Sequence, residues 1–142
     1  MRSFMGKMAV VTGGGAGMGR ELVVQLAAEG CSVAACDVDE AGLAVTAERA
    51  AKAEPGGGDV RVTTHHCDVS DEAQVTRFRD EVVERHRTGH INLLFNNAGI
   101  GGGSSFVTSS RAEWERTFGV CWGGVYNCTR AFMPLLIASD EG

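Results

Sequence analysis

The stretch Val10–Leu22, VVTGGGAGMGREL, places five glycines within the seven residues from Gly13 to Gly19, directly after an apolar run and directly before an amphipathic one. A short apolar run bounded by glycine reads as a buried strand, here Met8–Thr12. From Met18 the period turns helical, with Met18, Leu22 and Leu26 at i, i+4 and i+8, and Gly30 closes the helix. A loop joining the first strand of a parallel sheet to the first helix points bare N–H groups outward. Those donors and the helix dipole attract an anion. Gly13, Gly17 and Gly19 suit the three places where glycine is needed: the tight turn, the approach of backbone to a pyrophosphate, and the contact of helix with strand. The spacing is T-G-x-x-x-G-x-G, and G-x-G-x-x-G occurs at no register of the loop. Gly14 and Gly19 have the outer spacing of a P-loop, but Arg20 and Glu21 follow instead of Lys and a hydroxyl residue. A glutamate there repels phosphate, which argues against nucleoside triphosphate.

Further along the chain the same alternation continues. Ser32–Cys36 (SVAAC) reads as a second buried strand, and Asp39 begins a helical segment that runs to about Lys52. Glu54–Asp59 (EPGGGD) is a breaker loop. Val60–Cys67 alternates as a strand, and Asp71 to about His86 carries Val75, Phe78, Val82 and Val83 at helical spacing. Ile91–Phe95 (INLLF) is a fourth buried run. After the loop NNAGIGGGSS a long helix is expected from about Arg111 to Ile137, with Phe118, Trp122, Val125, Phe132 and Leu136 along one side. Parallel neighbours need crossovers of about a dozen residues or more, so this order predicts an α/β fold, a doubly wound parallel sheet with helices on both faces. Residues 1–142 read as a single domain without internal repeat.

Composition narrows the function classes. The net charge is -5 and no Lys/Arg stripe forms, so a nucleic-acid surface has no electrostatic footprint. The N-terminal MRSFMGKMAVV is too short in apolar length for a signal peptide, and no segment approaches the ~20 apolar residues of a membrane span. A cytoplasmic location is expected. The five cysteines, odd in number and without a CxxC pair, read as mostly buried free thiols. His65, His66, Cys67 and Asp68 resemble a metal cluster, but on a strand His66 points away from its neighbours, so no metal is expected.

Asp37 follows Gly13 by 24 residues, near the ~20 at which a carboxylate reaches an adenosine ribose. A carboxylate accepts hydrogen bonds from the 2'- and 3'-hydroxyls and repels a 2'-phosphate. Asp37 therefore favours NAD over NADP, and neighbouring Ala16 and Val38 offer no cation to reverse that choice. Asp37 could instead cap the next helix. Asp39 can do that equally well, which would leave Asp37 free.

With TGGGAGMG (12–19), CDVDE (36–40), CDVSD (67–71) and NNAG (96–99) in this order, the chain resembles the short-chain dehydrogenase/reductase family over essentially all its length. The resemblance implies a Rossmann-like fold and hydride transfer between a nicotinamide and an alcohol or carbonyl substrate. It places Met18 at the pyrophosphate, Asp68 and Val69 beside the adenine, and Asn96, Asn97, Ala98 and Gly99 over the two riboses. The family's catalytic Ser, Tyr and Lys belong to the second half of the fold, and its Asn to the long helix. Here Cys121 stands at the asparagine position in Val120–Val125 (VCWGGV), no Tyr-x-x-x-Lys occurs, and the chain ends at ASDEG. A thiol cannot reproduce an amide's donors and acceptor. Tyr126 precedes Arg130 by four but falls in the structural helix, and Ser104, Ser105, Ser109 and Ser110 gain no catalytic role. The expectation is a cofactor-binding half without catalytic residues, inactive alone, truncated after the fourth strand and long helix. That strand would become a sheet edge, and Phe118, Trp122 and Phe132 would be bared, favouring a homo-oligomer through the long helix. A non-catalytic NAD-binding or interaction protein stays open as an alternative. A methyltransferase is a third reading, against which NNAG and the Thr-Gly start both speak.

Overall fold

The computed structural model describes residues 3–53, 59–102 and 105–142. Most of the loop expected at Glu54–Asp59, and Ser104, lie outside the described residues. The elements are β1 (Met8–Thr12), α1 (Gly17–Ala28), β2 (Ser32–Asp37), α2 (Glu40–Ala53), β3 (Val62–His66), α3 (Glu72–His86), β4 (Leu93–Phe95), α4 (Arg111–Phe118), a π-helical turn at Gly119–Gly123, and α5 (Gly124–Ile137). The strands form one parallel sheet in the order β3-β2-β1-β4. Every residue of β1 is buried, as a strand covered on both faces must be.

Side-chain alternation along the strands builds two cores. Met8 and Val10 of β1 with Ala34 and Cys36 of β2 face α3 and α5, where Val75, Phe78, Val82 and Phe132 complete the layer. Ala9 and Val11 with Val33 and Ala35 face the opposite way, onto Val23, Leu26 and Ala27 of α1 and Leu43 and Ala50 of α2. Phe132 meets Phe78 edge-on at 5.4 Å. Asp71 caps α3 by accepting from the amides of Ala73 and Gln74. Ser110 and Glu113 form a reciprocal capping box at α4, so Ser110 serves the backbone. Ser105 and Ser109 likewise accept backbone amides of their own turn.

Several expectations require correction. The buried stripe of α1 is Gly19, Val23, Leu26 and Ala27, while Met18 is 78% exposed. Rotation of the helix by part of a turn seats glycine, the residue without a side chain, against the strand. The long helix runs without a break through the π turn, whose wider i→i+5 bonding takes up an extra residue and breaks the expected stripe. Phe118 and Trp122 are exposed, as expected, whereas Phe132, also expected to be bared, is buried in the core. Strand β3 begins at Val62 rather than Val60, and β4 begins at Leu93 rather than Ile91. The Ile91 amide donates instead to the Leu135 carbonyl in the last turn of α5, an acceptor no intrahelical donor can reach. Among the described residues β4 has no neighbour beyond β1, so its far side is a sheet edge.

The histidines of β3 alternate as expected, His65 buried and His66 exposed. His65 bonds Glu81 through Nδ1 at 2.7 Å and Thr63 through Nε2 at 2.8 Å, and Thr63 also meets His86 Nε2 at 2.8 Å. Cys31, Cys36, Cys67 and Cys128 are buried, and Cys121 is exposed. No helix among the described residues is long and apolar enough to cross a membrane.

Candidate functional site

At the C-terminal ends of the strands lies a cleft of about 400 Å³. Gly13 and the pair Asp37–Val38 form one wall, the turn Cys67–Ser70 a second, Ala98–Ile100 the floor, and Glu115, Arg116, Gly119 and Val120 of the long helix the third. This is where ligands bind in open α/β sheets, because the loops leaving neighbouring strands diverge there.

The glycine loop is built by close approach. Gly13 has φ +68, and a Cβ on it would lie 2.8 Å from the Ala98 Cα. A Cβ on Gly19 would lie 2.0 Å from the Gly13 carbonyl oxygen, so α1 can start against the strand only with glycine there. Gly14 N–H donates to the Cys36 carbonyl and Gly15 N–H to Asp37 Oδ2, both at 2.9 Å. Ala16, the residue preceding α1, is extended and provides no side-chain cap. The first-turn amides of α1, on Gly17, Met18 and Gly19, therefore have no intrahelical acceptor and no cap, which is the donor set an anionic group requires.

Six of the residues expected at the site come together on the cleft: Gly13, Asp37, Asp68, Val69, Ala98 and Gly99. Gly17 and Met18 are exposed where α1 begins, and Gly19 is tucked beneath the loop. Asn97 stands behind the cleft, its Nδ2 donating to the carbonyls of Thr12 at 3.0 Å and Gly13 at 3.2 Å. The Thr12 hydroxyl accepts from the Asn97 and Ala98 amides in return, so the ends of β1 and β4 are tied together. Asn96 donates to Thr129 at 3.1 Å, and its buried Oδ1 has no partner among the described residues. Asp68 Oδ1 accepts from the amide and hydroxyl of Ser70, and buried Val69 gives its carbonyl to Asn127.

Asp37 is less free than its sequence position suggests. Its Oδ1 accepts from the Asp39 amide at 3.1 Å while Oδ2 holds Gly15, leaving further lone pairs on each oxygen for outside donors. Of the two candidate caps, Asp39 takes the role, accepting from the Gly42 amide at 2.9 Å. The cleft carries three carboxylates, Asp37, Asp68 and Glu115, against the single guanidinium of Arg116 among its described lining residues.

Sequence reasoning missed Glu115, Arg116 and Val120. With Gly119 they make two i, i+4 pairs, Glu115/Gly119 and Arg116/Val120, on one helix face, but nothing in the sequence says that this face closes the cleft. Cys121 lies next to the floor, its Sγ 3.5 Å from the Ile100 carbonyl. Tyr126 is 57% exposed, and its hydroxyl accepts from Arg130 at 3.4 Å, away from the cleft.

The family model described as short chain dehydrogenase matches residues 7–142. The chain belongs to the short-chain dehydrogenase family. Its relative SadH of Mycobacterium tuberculosis is 39% identical over 142 residues, which is all of this chain and 49% of SadH. A short-chain dehydrogenase/reductase of Burkholderia phymatum, solved in complex with NAD, superposes with a TM-score of 0.86 at 38% identity, covering 97% of this chain and 47% of that one. A metagenomic short-chain oxidoreductase in complex with NADP superposes at 0.85 with 32% identity, covering 97% of this chain and 60% of that one. The chain thus spans about half the length of the curated relatives it matches. Both forms of the dinucleotide occur among its structural neighbours in this family.

Proposed function

We propose that this chain holds NAD for an oxidoreductase of the short-chain dehydrogenase type, acting on a small alcohol or carbonyl substrate. The observation that carries the reading is the pairing of an uncapped α1 N-terminus with the Asp37 carboxylate, bridged by the Gly15 N–H···Oδ2 bond. The first-turn amides at Gly17, Met18 and Gly19 would bind the diphosphate, and Asp37 the adenosine ribose. Asp68 and Val69 would flank the adenine, with Asn96, Asn97, Ala98 and Gly99 shaping the floor toward the nicotinamide.

Bound NAD would supply a hydride acceptor. The residues described here bind and orient it, and none is assigned as the acid or base. Tyr126 is the only tyrosine, and it faces away from the cleft. Without a positioned acid/base a reaction loses about 10²- to 10⁴-fold, so the 142-residue chain alone is expected to bind cofactor and turn over little. NAD is preferred to NADP because Asp37 would face the 2'-phosphate and no basic side chain neighbours it on the glycine loop or at Val38. Arg20, the cation that directly follows the glycine loop, is engaged with the Gly15 and Gly42 carbonyls and Thr46.

Titration with NADH and NADPH, followed by fluorescence or calorimetry, tests the reading. Saturable binding with NADH the tighter ligand is expected. Binding of neither dinucleotide would refute the cofactor role, and tighter NADPH binding would refute the role of Asp37.

A further inference from the structure

We infer that Arg20 and Thr46 form a buttress behind the glycine loop that orients it for a diphosphate. The inference rests on the cofactor-binding reading above and extends it to residues that do not line the cleft. Thr46, fully buried on the inner face of α2, donates its hydroxyl to the Gly14 carbonyl at 2.8 Å and lies 3.0 Å from the Gly42 carbonyl. Arg20, in the first turns of α1, donates from Nε to the Thr46 hydroxyl at 3.0 Å. Its Nη2 donates to the carbonyls of Gly15 and Gly42.

Two consecutive loop peptides, Gly14–Gly15 and Gly15–Ala16, therefore have their carbonyls drawn toward α2. In a trans peptide the N–H points opposite to the C=O, so both amides turn the other way. The first of them, Gly15 N–H, meets the cleft-lining carboxylate of Asp37. The second, Ala16 N–H, stands at the head of the uncapped first turn of α1. Three successive glycines have no side chains with which to hold these planes. Each carbonyl is instead held by a side-chain donor from outside the loop: Asn97 on Gly13, Thr46 on Gly14 and Arg20 on Gly15. The guanidinium also sets a permanent positive charge beneath the loop, on the far side from the cleft, where it favours an anion above.

Arg20 and Thr46 are thus positioning residues, and their loss should be felt by ligands that carry phosphate. The test compares NADH, ADP and adenosine on the 142-residue chain, using fluorescence for the first and calorimetry or NMR shifts for the others. Thr46→Val removes the hydroxyl while keeping the shape. It should weaken NADH and ADP by about 3- to 10-fold, the scale of one net hydrogen bond, and leave adenosine within about 2-fold. Thr46→Ser should restore ADP binding. Arg20→Lys keeps the charge but loses the fork that spans Gly15 and Gly42, and should give the same selective loss should Thr46→Val fail to fold. Unchanged ADP affinity in the folded variants, or equal weakening of ADP and adenosine, would overturn the buttress while leaving the cofactor reading intact. Failure of the wild-type chain to bind NADH and ADP would overturn the cofactor reading itself.

Discussion

Asp37→Asn separates the electrostatic part of the cofactor site from its shape. The carboxylate accepts one backbone amide on each oxygen, Gly15 at 2.9 Å and Asp39 at 3.1 Å. Asparagine has a single carbonyl oxygen, so it can satisfy one of these and must turn an NH₂ group toward the other. Hydrogen bonds to a charged group contribute about 1.5–3 kcal/mol, and the same scale applies to the proposed bond from the ribose hydroxyl. Each 1.4 kcal/mol is tenfold, so NADH should bind about 10- to 100-fold more weakly. NADPH should respond in the opposite direction. Two unit charges about 4 Å apart near a protein surface interact by about 4 kcal/mol, and removing the carboxylate relieves part of that repulsion. The quantity to measure is the ratio of NADH to NADPH dissociation constants in wild type and variant, with circular-dichroism melts to verify the fold. A ratio unchanged by the substitution would mean that Asp37 only braces the glycine loop and never meets the ribose.

Three further outcomes follow from the packing and the titrating groups. Phe132→Ala removes a fully buried ring from its contact with Phe78 and should cost about 3–5 kcal/mol in urea unfolding; a loss below about 1 kcal/mol would mean the ring is not a core anchor. Burial, with Arg61, His65 and Arg85 nearby, pushes His86 down from 6.5 to about 4, and burial and Arg85 lower His65 against the pull of Glu81. The unfolded chain then binds more protons between those values, so stability should be present above about 6.5 and be lost as the pH falls toward about 4. His86→Gln should flatten that slope, and a urea midpoint that does not change from pH 7 to pH 5 would count against neutral His65 and His86 in the folded chain. Of the five cysteines only Cys121 is exposed, and burial pushes Cys31 up to about 11 and Cys128 up to about 12. One thiol should therefore react rapidly with a disulfide reagent in native buffer and none in Cys121→Ser; two or more rapid thiols would show the core opening readily.

The order of strands and helices was legible because burial on both faces leaves continuous apolar runs, and because glycine and acidic residues punctuate them. Met8–Thr12 was read to the residue, and of the two acids named as caps for the next helix, Asp37 and Asp39, it is Asp39 that holds the Gly42 amide. Boundaries that depended on a distant partner were not legible. Ile91 leaves the strand because its amide meets the end of α5, 44 residues later in the chain. The orientation of the long helix was misread because its period was taken as constant, whereas the π turn at Gly119–Gly123 resets the face after it. Phe132 and Trp122 consequently part company, one in the core and one in solvent.

Local chemistry was enough to reveal the glycine loop, the acid at the end of β2 and the alternating pattern that demands a parallel sheet, since each depends on residues close together in sequence. Only the folded chain could bring Arg116 and Val120 over the cleft, set Asn97 behind Gly13, and run Thr46 and Arg20 beneath Gly14 and Gly15. The bonds from Asn97 and Thr46 join positions tens of residues apart, and Arg20, though near Gly15 in sequence, is held there by Thr46 and Gly42 of α2; all of them exist only after helices and sheet have packed at a fixed distance and angle.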